Sequence, residues 1–76
     1  MALAFVFINA EIGSEQEVLE QLRKMDSVKE AYMVYGVYDI VAKVDALTND
    51  DLREVVTSKV RKLSKVRSTL TMMVIE

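Results

Sequence analysis

Asp39 is the residue whose type and place point most directly to chemistry. It follows Gly36 closely, in an otherwise apolar run whose next polar residue is Lys43. A carboxylate there either bonds the N–H groups of its own turn or meets a ligand's ammonium group. Tyr32, Tyr35 and Tyr38 cluster around the same glycine. They read either as strand residues packing an edge or interface, or as a pocket wall offering hydroxyls to a polar ligand. Lys59, Arg61, Lys62, Lys65 and Arg67 form a basic stretch. Cations near a helix C-terminus complement its dipole, which explains them without a ligand. No aromatic residue is interleaved with them for base stacking, and the net charge of −2 argues against nucleic acid as the main partner. Cysteine and histidine are absent, which removes the usual acyl-transfer nucleophiles and bases and the usual zinc and copper ligands. Gly13 and Gly36 are the only glycines and make no phosphate-cradling loop. The adjacent Asp50 and Asp51 stand at a helix start, where the dipole favours them. The chain reads as a binding domain with no metal and no cofactor, not as an enzyme.

Periodicity supplies the elements that must position these residues. Ala2 to about Ala10 reads as a strand, with Ala4, Val6 and Ile8 on one side and Leu3, Phe5 and Phe7 on the other. Both faces of that strand expect burial. Ser14 and Glu17 have the spacing of a capping box, ahead of a helical stripe of Val18, Leu19, Leu22 and Met25. Val28 to about Tyr35 and Val37 to about Val44 read as a hairpin with a tight turn at Gly36. Val28, Tyr32 and Val34 share one face of it, as do Tyr38, Ile40, Ala42 and Val44. Thr48 to Asp51 cap a second helix carrying Leu52, Val55, Val56, Val60 and Leu63. Val66 to about Ile75 is the last strand, with Val66, Leu70, Met72 and Val74 on one face and Thr69, Thr71, Met73 and Ile75 on the other.

The order is β-α-β-β-α-β, the ferredoxin-like α+β pattern of a four-stranded antiparallel sheet with two helices on one face. The other face keeps large apolar residues and expects a second subunit's sheet. Size points the same way. A single domain of 76 residues that is 51% hydrophobic, with neither disulfide nor metal, most simply completes its core by self-association. The methionines Met25, Met33, Met72 and Met73 read as core or interface fillers. No apolar run reaches membrane-spanning length and the N-terminus has no signal-peptide pattern, so the expected location is the cytoplasm.

Val34-Tyr35-Gly36-Val37-Tyr38-Asp39-Ile40-Val41-Ala42-Lys43-Val44 resembles the Gly-x-Tyr-Asp hairpin segment of the effector-binding (RAM) domain of the Lrp/AsnC transcriptional regulators. Val66-Arg67-Ser68-Thr69-Leu70-Thr71 is similar to that family's closing strand, which carries a Thr-x-Thr. The resemblance covers essentially the whole chain. It implies the same fold, dimers formed through the sheets, ring-like assemblies of dimers, and an amino acid bound between dimers. Carried over, the ligand-binding positions are Gly36, Val37, Tyr38 and Asp39, with Ser68, Thr69 and Thr71 more loosely and Met33 and Tyr35 more loosely still. The chain lacks the family's N-terminal helix-turn-helix, so it reads as a stand-alone module that does not contact DNA directly and that joins full-length regulators. Three other readings stay open: a small dimeric α+β barrel enzyme, an ACT-type amino-acid sensor, whose ligand glycine would be Gly13, and a purely structural oligomer with no ligand.

Overall fold

The computed structural model describes residues 1–75. Strand β1 (Ala2–Ala10) is followed by helix α1 (Glu15–Arg23), strands β2 (Val28–Met33) and β3 (Ile40–Ala46), helix α2 (Asn49–Val55) and strand β4 (Val66–Met73). The expected β-α-β-β-α-β fold is present, and the antiparallel sheet has the order β2-β3-β1-β4. Alternation along β1 decides which face is covered. Ala4, Val6 and Ile8 are buried beneath the helices with Ile40, Ala42 and Val44 of β3, against Val18 and Leu22 of α1 and Leu52 of α2. The opposite face carries Leu3, Phe5 and Phe7. In register beside Phe5 lie Lys43 and Met72, and beside Phe7 lie Val41 and Leu70. Among the described residues no element covers that face, and Phe5 stays 37% exposed.

Thr48 caps α2 as expected, its hydroxyl accepting the Asp51 N–H at 3.1 Å. Beyond Val55 the helix widens into a π-type segment, Val56–Val60, closed by the Arg61 N–H donating to the Val56 carbonyl at 3.0 Å. The capping box at Ser14 does not form. Ser14 makes no side-chain cap. Gly13, with φ of +86°, turns its N–H onto the Glu15 carboxylate at 3.0 Å instead.

Three more expectations are corrected. The β2–β3 connection is not a tight turn at Gly36 but a longer loop, residues 34–39, closed by the Val34 N–H donating to the Asp39 carbonyl at 2.8 Å. Gly36 does not have positive φ. Asp39 fixes the loop's end by donating its N–H to the Ile8 carbonyl at 3.0 Å, so Tyr38 lies in the loop and not on β3. A bulge between Val28 and Glu30 resets the parity of β2. Val28 and Ala31 therefore face the core while Tyr32 faces outward. A second bulge lets Asn9 pair with Ser68 and Ala10 with Val66, which leaves Arg67 unpaired. Val66 consequently packs on the core and leaves the face of Leu70 and Met72.

Candidate functional site

The site is built where β1 ends. Asp39 lies across from that end because its N–H pairs with Ile8, and its carboxylate Oδ2 accepts the Ala10 N–H at 3.0 Å. One carboxylate oxygen thus holds the loop to β1, so the expected bond to the N–H groups of its own turn is replaced by one to another strand. Asp39 also lines a cleft of about 430 Å³ together with Asn9, Ala10, Ile12, Glu15, Arg67 and Ser68. The Asn9 side-chain amide donates to the Ser68 hydroxyl at 3.3 Å across the β1–β4 pairing. The bulge brings Arg67 here, since an unpaired bulged residue re-aims its side chain. Two carboxylates, one guanidinium, an amide and a hydroxyl therefore share one concave surface. A zwitterion suits such a lining, with an anionic end for the guanidinium and a cationic end for the carboxylates.

The expected site residues are only partly brought together. Asp39 and Ser68 share the cleft just described. Met33 lines a neighbouring cleft of about 360 Å³ that shares Asp39 and Glu15 with it. Thr69 lies on the far side of Arg67, in a cleft of about 390 Å³ with Arg61 and Ser68. Thr71 lies beside α2, in another cleft with Leu52 and Arg53. Tyr38 packs its ring against Phe7 at 5.7 Å between centroids. Tyr35, Gly36 and Val37 are exposed on the loop and line none of these clefts. Asn9, Glu15 and Arg67 were not anticipated. Arg67 reads in the sequence as one more cation beside a helix end, and only the β1–β4 register separates it from the others.

A second polar group stands on the uncovered sheet face. Tyr32 donates its hydroxyl to Glu30, and Lys43 reaches the same carboxylate at 3.6 Å. The Tyr32 hydrogen bond, then the Lys43 charge, holds the Glu30 pKa below its ordinary value. The same bond to Glu30 raises the Tyr32 pKa. At the outer edge of β2, the Arg23 guanidinium donates from Nε and Nη2 to the Ala31 carbonyl, at 3.1 and 2.7 Å. Among the described residues, no group of three or more acidic side chains converges as a metal site, and no helix is long and apolar enough to cross a membrane.

Comparison with known families decides what kind of domain carries this cleft. The family described as the Lrp/AsnC ligand binding domain matches residues 3–76. The chain belongs to that family. Among its relatives, an uncharacterized HTH-type transcriptional regulator of Pyrococcus furiosus is 36% identical over 72 residues, covering 91% of this chain and 48% of the regulator. The chain spans about half the length of that relative, or less than two fifths in the case of the Escherichia coli regulatory protein AsnC (34% identical over 58 residues, 76% of this chain and 38% of AsnC). Among solved structures, FFRP-DM1 superposes with a TM-score of 0.96 at 44% identity, covering 99% of this chain and all of the other. The Lrp/AsnC membership agrees with the motif resemblance and sets aside the ACT alternative. Relatives named as transcriptional regulators point away from an enzyme.

Proposed function

We propose that this Lrp/AsnC domain binds an α-amino acid in the cleft beside Asp39 and couples its occupancy to assembly of the domain with copies of itself. The observation that carries the reading is the shared lining of that cleft by Asp39, Glu15 and Arg67. Arg67 offers a planar fork for the α-carboxylate. Asp39 holds the Ala10 N–H with one oxygen and presents the other to the α-ammonium. Asn9 and Ser68 supply neutral hydrogen bonds between the charges. The loop carrying the exposed Tyr35, Gly36 and Val37, anchored by Tyr38 on Phe7, is the natural part of a neighbouring dimer to close over the ligand, which keeps Gly36, Val37 and Tyr38 in the site through assembly. Met33, Thr69 and Thr71 belong to its margin.

Two domains pair through their uncovered sheet faces, where Phe5, Leu70 and Met72 lie exposed. A ligand that binds only the higher assembly stabilises it by mass action. Through such assemblies the domain modulates regulators of amino-acid metabolism in the cytoplasm. The test is a thermal-shift screen against the common amino acids, with light scattering on the same samples. A stabilising hit accompanied by growth from dimer to multimer is expected. No hit across the panel, with the mass unchanged, sinks the reading.

A further inference from the structure

On the other side of Arg67 lies a cleft of different character. It measures about 390 Å³ and is lined by Arg61, Val66, Arg67, Ser68 and Thr69. Its polar groups are donors. Arg61 is oriented by its Nε–H, which donates to the Thr69 hydroxyl at 3.1 Å and leaves the outer nitrogens of the guanidinium available. Thr69 and Ser68 each accept one bond, from Arg61 and Asn9, and each keeps its own O–H to give. Neither Arg61 nor Arg67 has a salt-bridge partner among the described residues. Between Glu54 and Glu76 the sequence has no acidic residue, while Lys59, Arg61, Lys62, Lys65 and Arg67 all fall in that interval.

The helix dipole accounts for cations at the end of the helical segment. It does not account for Arg67, which lies on β4 and is turned outward by a bulge. Nor does it account for Arg61 being tied to a β4 hydroxyl. We propose that this cleft, which adjoins the amino-acid cleft and shares Arg67 and Ser68 with it but adds Arg61 and Thr69, is a second site that takes a small phosphate-bearing anion. The arrangement of the donors suits phosphate better than carboxylate. Guanidiniums and hydroxyls from two elements approach from different directions, which the three oxygens of a phosphate, spread in three dimensions, meet more fully than the two coplanar oxygens of a carboxylate.

The test uses inorganic pyrophosphate as probe, titrated calorimetrically into the assembled protein at low and moderate salt, with succinate and a short DNA duplex as comparison arms. Arg61 lies outside the amino-acid cleft, so Arg61→Gln leaves the amino-acid response intact and the two readings fail separately. Arg61→Gln should weaken pyrophosphate about tenfold or more, the worth of a charged hydrogen bond. Thr69→Val should weaken it by a smaller factor through loss of the Arg61 orientation. Lys62→Gln removes an equal charge outside the cleft and should change affinity less than about twofold. Equal losses in Arg61→Gln and Lys62→Gln would overturn the proposal in favour of a diffuse basic surface. So would tighter binding of the duplex with the same equal losses, or succinate binding as well as pyrophosphate.

Discussion

Asp39 has a structural duty and a proposed ligand-binding one, which a simple truncation cannot separate. Its Oδ2 accepts the Ala10 N–H, and the same residue lines the cleft proposed to take the amino acid. Asp39→Ala removes the acceptor and leaves a half-buried N–H without a partner, at a cost of about 1–3 kcal/mol. Asp39→Asn keeps an oxygen for Ala10 but loses the charge. The asparagine variant should therefore melt close to the parent while losing its amino-acid response, and the alanine variant should lose both. An asparagine variant with unchanged ligand affinity would confine Asp39 to its structural duty. The Glu30–Tyr32 pair makes a second prediction at this scale. Glu30's pKa is lowered on folding, chiefly by the Tyr32 bond and then by Lys43, so its contribution is present above the ordinary carboxylate pKa and is lost as pH falls through the folded value. Tyr32's pKa is raised, so its contribution is present below the ordinary phenol pKa and is lost as pH rises through its folded value. With Tyr35 and Tyr38 replaced by Phe, the absorbance titration of Tyr32 should shift to lower pH in Glu30→Gln. An unmoved midpoint would mean the bond is not held in solution.

The two helix starts look alike in sequence and differ in structure, which gives a direct comparison at the scale of elements. Thr48 closes its cap onto Asp51, whereas Ser14 makes no side-chain cap and Glu15 accepts the Gly13 N–H just ahead of the helix. Thr48→Ala should cost about 1 kcal/mol in denaturant unfolding, and Ser14→Ala a few tenths at most. Comparable losses would show that Ser14 caps α1 in solution. The same contrast explains how far the sequence could be read. Element order, the buried stripes of β1, α1 and α2, and the open sheet face follow from periodicity, because every turn of helix and every alternate strand residue repeats the signal. Bulges carry no such repetition. One extra residue opposite Asn9 and Ala10 re-aims Arg67, and one near Val28 turns Tyr32 outward. The loop at Gly36 departs from the expected tight turn for a related reason. A glycine between two strands signals a tight turn, but the bonds from Asp39 to Ile8 and Ala10 set where β3 begins. Of the site, Asp39 and Ser68 were legible by type and motif, while Asn9, Glu15 and Arg67 depended on which strands lie side by side.

At the scale of the molecule, the uncovered sheet face should set the oligomeric state. Phe5 sits at its centre on β1, flanked in register by Lys43 and Met72. A charge placed at Phe5 disrupts the packing of two sheets but leaves the helix-covered core untouched, since Ala4 and Val6 point the other way. Phe5→Glu is the informative choice because the position is already 37% exposed in a single domain, where a carboxylate keeps its hydration and costs little. Between two domains the same carboxylates would be brought together away from water, which is strongly unfavourable unless each finds a partner. The variant should elute and scatter as a monomer while keeping the parent's far-ultraviolet circular dichroism. Its amino-acid response should disappear along with assembly, because the proposed ligand favours the form in which a neighbour's Tyr35–Tyr38 loop is present. A folded Phe5→Glu monomer that still binds the amino acid with the parent's affinity would break the link between the cleft and assembly, while leaving the cleft itself as a site complete within one chain.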